Sequence, residues 1–207
     1  MKMYDITAPI FVGMPVYKNK PEKQPSFDTV TNGHVTETRM AIDVHTGTHM
    51  DAPLHMMNDG ETIETISLDQ IVGSCKVLDL THVVDGISKA DLASFDIKKD
   101  DFLLFKTKNS SDEEFNFEFI YLKEDGAQYL AELEIRGVGI DALGVERAQE
   151  GHPTHKALFS KRIVVIEGLR LQEVPQGDYF MVAAPLKLIG VDASPARVLL
   201  FEGIEVK

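Results

Sequence analysis

The sequence predicts an α/β or α+β domain with a mixed β-sheet and a few helices. Short apolar runs bounded by Gly, Pro, Asp or Lys recur along the chain, which is typical of buried strands. Helical patterns are fewer. The length of 207 residues suits one domain with a full core, so we expect residues 1–207 to form a single domain.

The predicted strands begin in the first quarter of the chain. MPVYKNKPEKQPSF, from Met14 to Phe27, is rich in Pro and Lys and predicts a loop. VTETRMAIDVHTG, from Val35, mixes β-branched residues in near alternation and predicts a strand that runs into a histidine-rich stretch. Six later apolar runs predict buried strands: KVLDL from Lys76, DFLLFKT from Asp101, GVGIDAL from Gly137, RIVVIEGL from Arg162, YFMVAAPLKLIG from Tyr179 and ARVLLFE from Ala196.

Two segments predict helices. SKADLASF begins with the capping residue Ser88 and has Asp91 at its fourth position, the pattern of a capping box. LKEDGAQYLAELEI, from Leu122, spaces its leucines and alanines at about the period of a helix, although Gly126 weakens its start. No Gly-rich phosphate loop follows any predicted strand, which argues against nucleotide binding.

The composition narrows the class of protein. The net charge of −12 argues against binding to nucleic acid or to anionic membranes, because both require a basic face. No apolar run approaches the roughly 20 residues of a membrane span. MKMYDITAPIF has a proline and an acid where a secretory leader would be apolar, so we expect a cytoplasmic protein. The single cysteine, Cys75, is expected to be a buried apolar residue.

HTGTHMDAPLH, from His45 to His55, concentrates three histidines and one aspartate in a short stretch. Four residues of extended strand span roughly 13 Å, too far for two imidazoles to share an ion. One helical turn would reduce that distance to about 6 Å, but Gly47 and Pro53 disfavour a long helix. We therefore expect the strand to bend at Gly47 into a turn or a short helical piece.

The residue types in this stretch suit a metal ion. Two neutral imidazoles and a carboxylate favour Zn²⁺, Mn²⁺ or Fe²⁺ and leave coordination positions open, as catalysis requires. His55, four residues after Asp51, is a candidate general acid or base because imidazole titrates near neutrality. The alternative interpretation is a polar turn with ordinary surface or core histidines.

The stretch resembles the signature HxGTHxDxPxH of the cyclase-like metal-dependent hydrolases, a family that includes bacterial kynurenine formamidases. The matching residues are His45, Gly47, Thr48, His49, Asp51, Pro53 and His55. The family also has a downstream histidine followed twelve residues later by a glutamate at the end of a strand. HPTHKALFSKRIVVIEGLRL supplies both, as His155 and Glu167.

The resemblance implies a site for two metal ions per subunit, with Zn²⁺ or Mn²⁺ expected. His45, His49 and Asp51 would hold one ion. Asp51 would bridge to a second ion, held also by His155 and Glu167. The residues of RIVVIE agree with this, because a carboxylate that ends an apolar run is costly to bury unless a positive group neutralises it.

The resemblance further implies a swivelling β/β/α domain, a homodimer or larger homo-oligomer, and a small-molecule substrate. The expected reaction is hydrolysis of an aryl formamide, N-formylkynurenine, to kynurenine and formate, with His55 transferring protons. Thr48 or backbone amides of the turn are candidates to hold the oxyanion. Kynurenine formamidases of the family carry a tryptophan after a Pro-Val pair. This chain has no tryptophan and places Tyr17 there, as a predicted substrate-binding residue.

Two other functions stay open on the sequence. One is ring opening of a cyclic amide or ester, as in isatin, by the same chemistry. The other is metal binding without catalysis, which His55 argues against because a pure binding site has no need of a histidine outside the ligand set. His152, three residues before His155, is left outside the predicted site.

Overall fold

An eight-stranded mixed sheet is the main element of the computed structural model, which describes residues 2–204. The strands are β1 (Lys2–Asp5), β2 (Ser26–Asn32), β3 (Val35–Ala41), β4 (His49–Asp51), β5 (Val72–Asp79), β6 (Gly86–Ile87), β7 (Phe102–Lys106), β8 (Tyr121–Leu122), β9 (Gly137–Ile140), β10 (Val164–Glu167), β11 (Gly177–Pro185) and β12 (Ala193–Glu202). The α-helices are α1 (Leu68–Ile71), α2 (Lys89–Leu92), α3 (Glu124–Glu132) and α4 (Pro153–Ser160).

The sheet closes into a barrel-like arrangement. Its strand order is β1-β12-β11-β5-β7-β9-β10-β4, and β12 also pairs with β4. Strands β5, β7, β9 and β10 run parallel, whereas β11, β12, β1 and β4 pair antiparallel with their neighbours. The predicted α/β class with a mixed sheet and a few helices is therefore confirmed.

Strands β7, β9 and β10 are buried on both faces, which explains their continuous apolar runs. In β7, Leu103 and Phe105 belong to one hydrophobic cluster, together with Leu130 of α3. The alternate residues Phe102 and Leu104 belong to a second cluster, with strands of the barrel on the other face. Each residue of the run is thus buried in one of two cores.

All six predicted apolar strands are present, and the two predicted helices are α2 and α3. Ser88 and Asp91 form the expected capping box at the start of α2. The predicted loop from Met14 to Phe27 contains two 3-10 turns, Tyr17–Asn19 and Pro21–Lys23, before β2 begins. The pattern did not predict β1, β2, β4, β6, β8, α1 or α4, and β2 begins at Ser26, inside the predicted loop.

Among the described residues, strands β2 and β3 pair only with each other and form a ribbon outside the barrel. Every residue of both strands is exposed. Within residues 2–204, no helix combines the length and the apolar character that a membrane crossing requires. The cytoplasmic location stays a prediction.

Candidate metal centre

A sharp turn before β4 shapes the histidine-rich stretch. Gly47 has a φ of +63°, in the left-handed region that glycine adopts without steric cost. The bend predicted at Gly47 is therefore present, and the chain continues from it as strand β4. The prediction that the strand from Val35 runs into this bend is wrong, because β3 ends at Ala41 and a turn fills the interval. The short helical piece comes later, as a 3-10 turn over Pro53–His55.

The Thr48 hydroxyl holds this turn in place through two hydrogen bonds, one donated and one accepted. It donates to the Gly168 carbonyl at 2.6 Å and accepts from the Ala8 amide at 2.8 Å. A hydroxyl has one hydrogen, so Thr48 has no donor left for an oxyanion. The expectation that its side chain stabilises an oxyanion is wrong, because the close approach of Gly168 takes that donor.

Strand pairing and one helix bring the remaining residues to the turn. His49 and Asp51 are two apart on β4 and therefore face the same side. His49 pairs in register with Glu167, the last residue of the neighbouring β10, so the two side chains meet at 3.2 Å. Helix α4 adds His155, which is buried beneath the same cavity.

Asp51 lies at the middle of this group and is 1% exposed. Its Oδ1 is 3.0 Å from His45 Nδ1 and 3.4 Å from His49 Nε2. Its Oδ2 is 3.8 Å from His155 Nε2, which in turn lies 3.5 Å from Glu167 Oε1. The five predicted ligands thus converge, and the two oxygens of Asp51 face different histidines.

Each of the three histidines is held by one ring nitrogen and presents the other to Asp51. His49 Nδ1 donates to the carbonyl of Gly47 at 2.9 Å. The two other holding groups are carboxylates: Glu146 lies 2.6 Å from His155 Nδ1, and Asp192 lies 3.0 Å from His45 Nε2. Ligating histidines in proteins are oriented in this way by a carbonyl or carboxylate on the far nitrogen.

Several polar atoms at the centre of the group have no hydrogen-bond partner among the described residues. These buried atoms are His49 Nε2, His155 Nε2 and both carboxylate oxygens of Asp51. Buried polar atoms are nearly always satisfied in native proteins, so their grouping here requires a further partner. A divalent cation fits, since imidazole nitrogen and carboxylate oxygen are its usual ligands.

The electrostatics of the centre also demand positive charge. Burial opposes the charged form of His49, but the nearby carboxylates of Asp51 and Glu167 outweigh it and raise its pKa to about 10. Burial raises the pKa of Asp51, yet the nearby imidazoles of His155, His45 and His49 bring that pKa well below its usual range. Burial and the Asp51 charge oppose ionisation of Glu167, while the nearby imidazoles of His155 and His49 lower its pKa to about 2. Both carboxylates are therefore ionised at neutral pH.

His55 stands beside the group, and one of its ring nitrogens lies close enough to ligand atoms of His45 and Asp51 for the three residues to hold an ion together. Its ring centroid is 4.1 Å from that of His45 and 5.9 Å from that of His155. Its Nδ1 lies 3.4 Å from the carboxylate of Asp192, which also holds His45. Burial lowers the pKa of His55 below its ordinary value, so the neutral imidazole dominates at neutral pH.

A cavity of about 280 Å³ leads from the centre to the surface. His45, His49, His55, His155 and Glu167 line its inner end. Tyr17, Met56 and Leu143 supply apolar wall, and Lys18, Lys20 and Lys23 lie on the same lining. The Tyr17 ring packs edge-on against Phe115 at 5.2 Å. The structure thus places Tyr17 in the same cavity as the histidines, and its substrate-binding role stays a prediction.

Glu146 and Asp192 were missed by the sequence reasoning. Glu146 is 4% exposed and ends the apolar segment GIDALGVE, just as Glu167 ends RIVVIE. Asp192 follows the apolar LKLIGV. In both cases, an acidic residue at the end of an apolar segment was the sequence signal that could have identified the residue. His152 is half exposed, at 54% of its side chain, and lies 3.8 Å from Glu146, so it remains at the edge of the site.

A mixed barrel with a buried centre of imidazoles and carboxylates beside an open cavity defines a metal-dependent hydrolase. The chain belongs to the cyclase family: the family model described as "Putative cyclase" matches residues 4–147. It is 32% identical to a kynurenine formamidase of Bacillus cereus, over 84% of each chain. It is 31% identical to a kynurenine formamidase of Salinibacter ruber, over 97% of each chain.

Two solved structures are similar to the chain. A protein described as a predicted metal-dependent hydrolase from Bacillus stearothermophilus is 68% identical, with a TM-score of 0.90 over 96% of this chain and 97% of that one. Isatin hydrolase A from Labrenzia aggregata has a TM-score of 0.84 over 96% and 93% of the two chains. Its identity of 23% shows a shared fold alone.

Proposed function

We propose that the protein is a metal-dependent amidohydrolase that converts N-formylkynurenine and water to kynurenine and formate. The observation that carries this proposal is the orientation of three imidazoles. In each, one ring nitrogen is held by a carbonyl or carboxylate, and the other faces the same buried aspartate. The similarity to kynurenine formamidases over most of the chain supports the aryl formamide as substrate. The apolar wall of Tyr17, Met56 and Leu143 suits an aryl group.

Two ions, Zn²⁺ or Mn²⁺, are proposed for the centre. His45, His49 and Asp51 would hold one, and Asp51, His155 and Glu167 the other. Support comes from the two oxygens of Asp51, of which Oδ1 is nearer to His45 and His49 and Oδ2 faces His155. When bound, such ions lower the pKa of water toward neutrality and polarise a carbonyl oxygen.

His55 is proposed to move the proton. In the reaction, water oxygen bonds to the formyl carbon, the C–N bond breaks, and the leaving nitrogen takes up a proton. The neutral imidazole of His55 can accept a proton from the attacking water and deliver it to that nitrogen. Its position on the cavity lining, beside His45, supports this role.

A direct assay tests the proposed function. The purified protein is incubated with N-formylkynurenine after loading with Zn²⁺ or with Mn²⁺, and kynurenine and formate are both quantified. We expect equal amounts of the two products from the wild type. The His55→Ala variant should retain only a small fraction of the wild-type turnover. Stoichiometric metal binding without any formamide hydrolysis would reject the proposed function, and faster opening of isatin would favour the ring-opening alternative.

We also propose that the protein is a homo-oligomer held by the β2–β3 ribbon. An isolated two-stranded ribbon is marginally stable in water, so a fully exposed one calls for a partner. Its two faces differ. One face is uncharged and carries Phe27, Thr29, Thr31, Thr36, Thr38 and Met40, with hydrogen-bonded threonine pairs across the strands. The other face carries Asp28, Glu37 and Arg39.

The uncharged face suits contact with a second copy of this chain. Two bodies that each carry a net charge of −12 repel, so their contact favours surfaces without charge. The ribbon starts just after the Pro21–Lys23 turn and ends shortly before His45, both of which line the cavity. Docking of the ribbon would therefore restrict the motion of the two segments that flank it and contribute to the cavity lining.

Light scattering after size-exclusion chromatography tests this assembly. Thr29→Asp places a charge on the uncharged face and is expected to give monomers. Val30→Asp places the same charge on the opposite face and is the matched control, expected to keep the oligomer. A wild-type protein that is monomeric at micromolar concentration, or a control that dissociates equally, would reject the ribbon as the interface.

A further inference from the structure

The rim of the candidate cavity concentrates positive charge in a strongly acidic protein. Lys18, Lys20 and Lys23 all line it, although the chain as a whole carries a net charge of −12. The three lysines come from one segment before the β2–β3 ribbon, which consists of two 3-10 turns with Lys20 between them. A cationic rim on an anionic molecule attracts anionic ligands to this opening and repels cations from it.

Lys18 differs from the other two lysines in its surroundings. Lys23 pairs with Asp43 at 2.8 Å, and Lys20 lies 4.0 Å from Glu22. Within residues 2–204, Lys18 has no carboxylate within ion-pair distance. Its ammonium lies 5.2 Å from the centroid of the Tyr17 ring, on the wall of the cavity. Lys18 is therefore the rim cation with charge available to a ligand.

The backbone around Lys18 supports a role in binding. Lys18 has a φ of +58° and Asn19 a φ of +52°, both in the left-handed region that residues other than glycine seldom adopt. Two such residues in succession cost free energy, and backbone strain of this kind gathers at ligand-binding and catalytic sites. The conformation turns this short segment so that Tyr17 and Lys18 both line the cavity.

The burial of the lining residues, which falls from the histidines through the apolar side chains to the lysines, divides the cavity into three zones with different chemistry. The inner end holds the imidazoles and carboxylates that would act on a carbonyl group. The middle is apolar, with Tyr17, Met56 and Leu143, and suits a flat ring. The rim is cationic. A ligand that matches all three zones has a hydrolysable carbonyl at one end, a ring in the middle and an anionic group at the other end.

We propose that Lys18 recognises a carboxylate on the substrate and selects aryl amides with a free carboxylate over the same amides with that group esterified. This inference rests on the proposed function, because it assigns a specificity residue to the same site. The contact is partly exposed to solvent, so its contribution is modest and sensitive to salt. It acts on substrate choice and leaves bond cleavage to the inner end of the cavity.

Two substrates that differ only in the carboxylate test this proposal. N-formylkynurenine and its methyl ester are compared in the metal-loaded wild type by the ratio of their kcat/KM values. In Lys18→Gln we expect that ratio to fall by about three- to tenfold, mainly through KM for the acid. Lys18→Arg should restore most of the ratio. Lys187→Gln, at an exposed lysine outside the cavity lining, is the matched control and should leave it unchanged.

The outcomes separate this proposal from the proposed function. An unchanged ratio in Lys18→Gln, or an equal loss for acid and ester, would overturn the role of Lys18 while hydrolysis itself still stands. Absence of turnover on both substrates in the wild type would overturn the proposed function. Calorimetric titration of the metal-loaded protein with kynurenine and its methyl ester then decides the role of Lys18. Equal affinities, or a preference that survives in Lys18→Gln, would reject it.

Discussion

At the scale of single residues, the centre depends on how each imidazole is oriented. A histidine in water rotates freely and exchanges its proton between two nitrogens, whereas a carbonyl or carboxylate on one nitrogen fixes both the ring and the tautomer. Gly47, Glu146 and Asp192 provide these groups for His49, His155 and His45 in turn. None of the three need touch a metal ion, yet together they direct the ligands at Asp51.

Asp51→Asn should be the most damaging single change at the centre. The amide keeps the shape of the side chain but replaces one oxygen by NH₂, which cannot bind a cation and would face the imidazoles. We expect metal content to fall from two equivalents to one or none, measured by atomic emission after dialysis. Asp178→Asn is the control, because Asp178 is an exposed carboxylate on β11 that does not line the cavity. Retention of two equivalents by Asp51→Asn would show that this residue does not bridge.

His55→Ala should lower kcat by about 10² to 10⁴, the usual contribution of a general acid or base. Metal content and folding should stay near normal, because the five proposed ligands are unchanged in this variant and His55 is proposed to move protons. Burial lowers the pKa of His55, and a neighbouring cation shifts it in the same direction. Wild-type activity should therefore fall as the pH drops through a pKa below the ordinary value of histidine. The pH–rate profile of the variant should lack this acidic limb. Loss of metal at an unchanged rate per bound ion would make His55 a ligand.

At the scale of elements, two loops pack backbone to backbone where the ligands meet. Gly168 follows Glu167 at the end of β10 with a φ of +71°. A Cβ at this position would collide with the carbonyl of Gly47, in the turn that precedes β4. Because the two turns are this close, His49 and Glu167 lie beside each other at the end of their strands.

Gly168→Ala should therefore destabilise the fold by roughly 1–3 kcal/mol and reduce metal affinity. The added methyl group both strains the backbone and pushes the two turns apart. Urea unfolding and a metal titration measure the two effects. Gly190→Ala provides the comparison, since Gly190 has a φ of +78° but no atom near its missing Cβ. If the two variants lose the same stability, the close approach at Gly168 contributes nothing beyond backbone strain.

At the scale of the whole molecule, the centre joins parts of the fold that are distant in the chain. The turn before β4 contacts the β9–β10 side of the barrel, helix α4 and the start of β12 through their polar groups. Ions at this point would cross-link these parts. Binding to the folded state alone shifts the unfolding equilibrium toward the native protein.

Exhaustive chelation should abolish hydrolysis and lower the melting temperature, and added Zn²⁺ or Mn²⁺ should restore both. A ligand at 100 times its dissociation constant contributes about 2.7 kcal/mol, which is a shift of several degrees for a domain of this size. Differential scanning calorimetry before and after chelation measures it. The Asp51→Asn protein is the control and should show little response. An unchanged melting temperature and activity in the wild type would rule out the metal centre.

The sequence by itself determined the class of fold, the reactive stretch and the family. Apolar runs and Gly47 act locally, so strand identity and the bend before β4 were readable from a few neighbouring residues. The separation of His45, His49 and Asp51 is likewise short enough for one turn to bring them together. The later pair His155 and Glu167 came from resemblance to the family and not from spacing.

Only the tertiary structure decided which distant groups complete the site. Asp192 is 147 residues from His45, and Gly168 is 120 residues from Thr48, so barrel closure and strand register had to bring each pair together. Glu146 is nine residues from His155 but reaches it only because α4 folds back over the preceding loop. The sequence assigned Thr48 a role that the packing of Gly168 excludes. Such contacts depend on long-range geometry, which a local pattern of residues does not specify.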